Sequence, residues 1–187
     1  MQRILLVGIG NITLPRTRHS VGHVILDSIA ERLGYNLPLN EQLDGYLGDG
    51  VTNINNKPTR LALFKPRPAM NVLGNAIGKA CRATVQDPRS VIVIQDTMYL
   101  EPGRMKVKYG GQPEGHRGIR SVSKFLHTQD FFRLQVGIGR TGDAKEYVLG
   151  PLSSYEKMNY SVDGKGIDEA WACIEDIAKR MEKLRGI

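Results

Sequence analysis

Cysteine is scarce in this chain of 187 residues. The two present, Cys81 and Cys173, stand far apart and form neither a CxxC pair nor a zinc spacing. That excludes a disulfide scaffold and a structural zinc site, and it fits reduced thiols packed in the interior. No apolar stretch reaches the roughly 18 residues that a membrane-spanning helix needs. The N-terminus runs straight into a strand-like segment with no signal peptide and no Arg- and Ser-rich leader, so secretion is not expected, although a removed leader stays open. No Gly-x-Ser-x-Gly elbow is present, which argues against a generic serine esterase. Acidic residues are outnumbered 19 to 26, giving a formal charge of +7 and a pI near 9.5. A basic excess suits an anionic partner, nucleic acid above all, or simply a solvated basic surface.

What is present alternates between two periods. Residues 4–7 are an apolar run closed by Gly8 and Gly10, as a buried strand reads when it enters a loop. Residues 21–33 carry Val24, Ile25, Leu26, Ile29 and Leu33 at helical spacing, and Gly34 follows as a stop. Residues 35–57, rich in Gly, Asn and Asp, read as strands and turns. A strand is expected at 60–64, a rigid loop at Lys65-Pro66-Arg67-Pro68, and a helix at 70–82. Residues 91–94 are β-branched throughout and read as a central strand ending at Gln95-Asp96. A strand at 104–108 leads into a long glycine-rich loop. A helix at 119–126, a strand at 132–138 and an amphipathic helix at 168–184 complete the chain. Trp171 and the stripe Ile174, Ile177, Ala178, Met181 and Leu184 read as core packing. The order predicts one α/β domain spanning residues 1–187, with a mixed, mostly parallel twisted sheet flanked by helices. No internal repeat or linker divides it.

Polar residues at the ends of buried strands are where α/β proteins place their sites. Gly8-Ile9-Gly10-Asn11, Met70-Asn71 and Gln95-Asp96 are three such places, and Thr17-Arg18-His19-Ser20 is a fourth polar cluster. His19, Asn11, Asn71 and Asp96 could therefore meet in one cleft. Histidine is the natural base near neutral pH, a carboxylate orients it, and an Asn amide can hold a carbonyl oxygen or an oxyanion. Read singly, the two Asn are ordinary helix caps or turn residues. Gly8-Ile9-Gly10 lacks the third glycine and the acidic residue of a dinucleotide site. His19 and His23 stand four apart without an intervening Glu or a third ligand, so neither a metal nor a cofactor is expected. His23 and His127 read as surface or helix-packing residues.

The order and spacing of several segments carry a resemblance. They are Val7-Gly8-Ile9-Gly10-Asn11, Thr17-Arg18-His19-Ser20-Val21-Gly22, Lys65-Pro66, Met70-Asn71-Val72-Leu73-Gly74 and Val93-Ile94-Gln95-Asp96. Pro102-Gly103-Arg104, Gly115-His116-Arg117-Gly118, Gln129-Asp130-Phe131, Arg133-Leu134-Gln135-Val136-Gly137 and Tyr147-Val148-Leu149-Gly150 follow. Each string is common alone. In this order the chain resembles the bacterial-type peptidyl-tRNA hydrolase family, from its first strand to about residue 160. The resemblance implies hydrolysis of the ester joining a peptide to tRNA, with His19 as the base that activates water and Asp96 holding its tautomer. It implies that Asn11 and Asn71 bind the substrate and its reacting carbonyl, with no metal and no covalent intermediate. It makes peptidyl-tRNA the partner, held by Lys106 and Lys108, which lie at i and i+2 of one strand and so share a face. Arg120 and Lys124 on the next helix would extend that patch, since phosphate contacts give affinity without reading sequence.

The chain departs from the family pattern in places. The loop from Asn11 to His19 is shorter and lacks the family's proline and tyrosine. Ser20 stands where the family has Asn, Arg117 where it has Asn after the second histidine, and Gln135 where a second arginine helps clamp the tRNA 5′ phosphate. Arg117, counted among the substrate-binding residues, would then meet RNA phosphate and replace the charge lost at Gln135. A non-catalytic RNA-binding module on the same scaffold, like some organellar splicing relatives, is the alternative; retained His19 and Asp96 favour the enzyme. The Thr17–His23 string looks closer to fungal relatives, which leaves cytoplasm and mitochondrion both open. A monomer is expected.

Overall fold

In the computed structural model, which describes residues 1–186, the elements follow in the order β1 (Gln2–Gly8), α1 (Val21–Leu33), β2 (Leu39–Asn40), β3 (Gly45–Ile54) and β4 (Lys57–Pro66). Then come α2 (Gly74–Thr84), β5 (Val91–Thr97), β6 (Met105–Tyr109), α3 (Arg117–Leu126) and β7 (Phe132–Gly137). Two short helices, α4 (Ala144–Leu149) and α5 (Ser154–Asn159), precede the long α6 (Lys165–Leu184). The strands form one sheet of order β2-β3-β4-β1-β5-β7-β6. Its four central strands, β4, β1, β5 and β7, are parallel, and the strands at both margins, β2 and β3 on one side and β6 on the other, pair antiparallel. This is the expected single-domain α/β architecture, with the parallel part confined to the middle, where helices cover both faces. The β-branched run of β5 is buried at every position, as a strand covered on two sides must be.

α1 and α6 pack on one face of the sheet around Ile4, Leu6, Ile92, Leu134 and Ile174. α2 and α3 pack on the other, around Leu5, Val7, Val93, Ile77 and Val122. Alternate residues of β1 therefore go to opposite cores, and neither face is free to slip register. α1 spans the predicted residues, and Gly34 ends it at φ +68, a conformation that suits glycine. Its start is pressed against the sheet: a β-carbon on Gly22 would lie 2.4 Å from the Ile94 oxygen and 2.5 Å from that of Ile9.

The expected helix over 70–82 begins four residues later. Residues 70–73 form a turn in which Val72 N donates to Ala69 O, and Met70 N donates to a side chain outside the helix, that of Asn11. Gly74 then enters the helix so close to α3 that its N–H donates to Ser121 Oγ at 2.9 Å. The short helices α4 and α5 carry no long apolar stripe and went unread in the sequence. Each is marked instead by its cap, the Asp143 carboxylate accepting from Glu146 N and Ser153 forming a reciprocal capping box with Glu156. Trp171 is half-buried against the core, and Leu184, expected in the core stripe, is exposed at the helix end.

Candidate active site

β1 and β5 are neighbours, yet the chain leaving β1 forms α1 on one face while the chain leaving β5 reaches α3 on the other. Their carboxyl ends therefore open into a crevice between diverging segments. A cleft of about 500 Å³ lies there. Asn11, His19, Asn71, Asp96 and Arg117, the residues the sequence pointed to, all line it, together with His116.

Asp96 sits near the end of β5 and is almost wholly buried, its side chain 4% exposed. His19 reaches it from the short turn Arg18–Ser20 ahead of α1, with Nδ1 at 2.9 Å from Oδ2 and 3.0 Å from Oδ1. His116 reaches it from the opposite side, with Nε2 at 2.8 Å from Oδ1. Burial would raise the Asp96 pKa, but His116 and then His19, through charge and hydrogen bonds, hold it well below the usual carboxylate range. The carboxylate is therefore an acceptor only, and both contacting nitrogens carry protons.

The tautomers follow. His116 is the N-cap of α3, and its Nδ1 accepts from Ile119 N at 3.3 Å. A nitrogen that accepts there has its proton on the other ring atom, Nε2, where Asp96 takes it. His19 spends its Nδ1 proton on the same carboxylate, so its Nε2 lone pair is left for chemistry. The two rings lie 5.1 Å apart, tilted at 44°.

His19 Nδ1, Asp96 and His116 Nε2 have ligating atoms within 4.8 Å of one another, a grouping with the composition of a metal site. Its contacts, at 2.8 to 3.0 Å, are hydrogen-bond distances, closer than the roughly 3.3 Å that tetrahedral geometry puts between two ligand atoms of one zinc. A metal would have to displace the ring protons that hold the carboxylate in place. The donor set fits a hydrogen-bonded relay better than a metal cradle.

Asn11 is fixed from both sides. Its Oδ1 accepts from Met70 N at 2.8 Å, and its backbone N–H donates to Ser20 Oγ at 2.9 Å. Oδ1 being engaged, the amide Nδ2 is the end left to donate. Ser20 Oγ in turn donates to Leu14 O at 2.9 Å, so this smaller residue braces the shortened loop through its hydroxyl. Asn71 is exposed on the turn before α2, at the rim. Arg117, the first residue of α3, is exposed at the same rim. α4 closes the far wall with Ala144, Lys145, Val148 and Leu149. It is tied to the His19 turn by Arg18, whose guanidinium lies 4.2 Å over the Tyr147 ring while Nη1 donates to Tyr147 O at 3.3 Å.

The basic residues divide. Arg120 and Lys124 stand one turn apart on α3, both exposed, and line a second groove beside the cleft. Lys106 is exposed on the margin strand β6. Lys108 is only partly exposed, and its ammonium is taken up by Glu114 at 2.6 Å. His116 received no role from the sequence, where it appeared as one residue in a glycine-rich string. Its signal was local: a histidine directly ahead of a helix start is positioned to cap it.

A comparison with known proteins gives a consistent result. The profile of the family described as "Peptidyl-tRNA hydrolase" matches residues 5–186. A protein of that name from Rhodococcus opacus is 37% identical over 158 residues, covering 82% of this chain and 81% of its own. Another from Mycobacterium tuberculosis is 38% identical over 154 residues, covering 81% of this chain and 78% of its own. Among solved structures, a peptidyl-tRNA hydrolase from Acinetobacter baumannii superposes with a TM-score of 0.75 at 27% identity, covering 97% of this chain and 89% of that one. Its Arg119Gln mutant superposes with a TM-score of 0.78 at 26% identity, covering 97% and 93%.

Proposed function

This chain belongs to the peptidyl-tRNA hydrolase family and cleaves the ester between peptide and tRNA, and from that premise we propose how its residues divide the work. His19 Nε2 takes a proton from water as the water attacks the ester carbonyl. Asp96 holds the His19 tautomer and stabilises the imidazolium that forms. His116 keeps the carboxylate ionised and fixes its orientation from the far side. Asn11 Nδ2 donates to the oxyanion, and Asn71 to the substrate end at the rim. The imidazolium then returns its proton to the departing ribose oxygen. An ester is more reactive than an amide, so one activating base and one oxyanion donor suffice without a metal or an acyl-enzyme.

The single observation that carries this reading is the His19–Asp96–His116 relay, which leaves one unprotonated ring nitrogen in a cleft. No observation favours a non-catalytic module. Lys106, Arg120, Lys124 and Arg117 are the proposed RNA contacts, and the overall charge of +7 supports them. Among the described residues no helix is long and apolar enough to cross a membrane. Exposed large apolar side chains are scattered, as at Val51, Tyr99 and Met158, which supports a monomer. A peptidyl-tRNA substrate supports a location where translation occurs, cytoplasm or mitochondrion.

The test is release of N-acetylaminoacyl groups from tRNA. His19→Ala is expected to lower kcat by about 10²–10⁴-fold, the usual worth of a general base, with tRNA binding retained. Full activity in the variant would remove His19 from the mechanism.

A further inference from the structure

His19 approaches Asp96 from a thinly tethered stretch of chain. Residues 13–16 before it are exposed, and Arg16 stands at φ +59, a conformation that costs a non-glycine residue. Further along, the backbone is held by a ladder of one bridge, with Thr17 opposite Pro151. Arg18 N donates to Gly150 O and Leu152 N to Arg16 O, each at 3.0 Å. Pro151 has no N–H to extend that ladder. Two such bonds leave the turn free to rotate about the bridge, and a small rotation would carry the His19 ring off the carboxylate.

The Arg18 side chain opposes that rotation. Its guanidinium covers the Tyr147 ring while Nη1 donates to Tyr147 O, and its Nε is buried without a hydrogen-bond partner, so the ring face answers that side of the charge. Gly150 leaves the space: a β-carbon there would lie 2.7 Å from Nη1. Tyr147 is itself riveted to the sheet, its hydroxyl donating to Ile138 O just beyond β7. Ile138 N donates to Thr97 O at 3.0 Å, beside Asp96. The contacts thus close a ring, from Asp96 through Thr97, Ile138, Tyr147 and Arg18 to His19, whose Nδ1 returns to Asp96. Neither Arg18 nor Tyr147 lines the cleft, whereas Val148 and Leu149 of the same helix do.

We propose that Arg18, clamped on Tyr147 and fitted against Gly150, is a positioning residue of the reaction: it fixes the turn that carries His19 at the place where Nδ1 meets Asp96. Arg18 touches neither substrate nor the reacting atoms and acts only through His19. The same clamp joins the base to the helix that walls the cleft, so the wall and the base hold one geometry together. This rests on the reading of His19 as the general base.

The test compares Arg18→Ala, Tyr147→Leu and the double variant by steady-state kinetics on an N-acetylaminoacyl-tRNA. Each single change is expected to lower kcat about 10²-fold, the loss that a misplacement of about 1 Å can cause, with KM constant within about twofold. The double variant is expected to lose no more than the worse single one, because the two side chains act as a unit. Multiplied losses, or a raised KM at unchanged kcat, overturn the proposal, the latter by making Arg18 a substrate contact. A second readout is the pair of ring-proton resonances from His19 Nδ1–H and His116 Nε2–H, both bonded to Asp96 and assigned with His19→Ala. Arg18→Ala is expected to remove the His19 resonance and keep that of His116; loss of both, or of neither, overturns the proposal. Gly150→Ala, which leaves Arg18 and Tyr147 in place but crowds Nη1, is expected to act in the same direction and covers the case in which Arg18→Ala does not fold. If the wild type releases nothing from tRNA, the hydrolase reading fails by itself, and the two resonances still decide whether Arg18 holds His19 on Asp96.

Discussion

At the scale of single residues, the site turns on where protons reside. Asp96 accepts from two histidines at once, and each histidine has its other nitrogen committed differently, one to a helix N-terminus and one to the open cleft. Asp96→Asn keeps nearly the same shape but presents an N–H that the His19 Nδ1 proton opposes. His19 would then turn its lone pair inward and its proton to the substrate. The expected result is a loss of about 10²–10⁴ in kcat with little change in KM, read by steady-state kinetics on an N-acetylaminoacyl-tRNA. A change in KM alone would mean that Asp96 binds substrate and does not orient the base.

At the scale of elements, the site depends on how closely α1 approaches the sheet. Gly22 is where the helix touches β1 and β5, with backbone oxygens as its neighbours. Backbone oxygens cannot rotate aside as a side chain does. Replacing glycine by alanine in a helix normally gains up to about 1 kcal/mol. Here the contact at 2.4 Å decides the sign. Gly22→Ala is expected to destabilise the protein by about 1–3 kcal/mol in urea unfolding, and to move His19 away from Asp96 with a loss of activity in the surviving fold. Stabilisation would show that the helix can shift outward without harm. α4 acts from the other side, where Arg18 on Tyr147 couples the catalytic turn to the cleft wall.

At the scale of the whole molecule, acid stability has an identifiable source. His23 is buried on α1, its Nε2 has no partner, and burial, then the Lys65 charge, press its pKa down to about 3. In the unfolded chain the same group titrates near its ordinary value of about 6.5. A pKa lowered by folding contributes stability that is present above the unfolded value and lost as pH falls toward the folded one. Between pH 6.5 and 3 the unfolded state holds the extra proton, so stability should fall by about 1 kcal/mol per pH unit from this residue alone. Urea midpoints measured across that range should decline less steeply for His23→Leu than for the wild type. Parallel slopes would place the acid sensitivity elsewhere. The thiol of Cys81 plays no such part: burial pushes it up to about 11, which leaves it unreactive.

The sequence by itself determined the alternation of strands and helices, because buried strands and amphipathic helices must repeat at their own periods. It marked α1 to the residue, through its stripe and Gly34, and it set β5 in the middle through unbroken β-branching. It also named His19, Asp96, Asn11 and Asn71, since polar residues at strand ends stand out against apolar runs. The start of α2 was displaced because Met70 N and the Gly74 approach are satisfied by Asn11 and Ser121, partners distant in the chain. α4 and α5 escaped notice because helices of six residues show caps and no periodicity. Only the tertiary structure decided which side chains share a proton and which share a charge. His116 meets Asp96 across 20 residues and His19 meets it across 77. Lys108, read in the sequence as a free phosphate contact, is paired with Glu114, because the β6–β7 register leaves cations face to face that a carboxylate must separate.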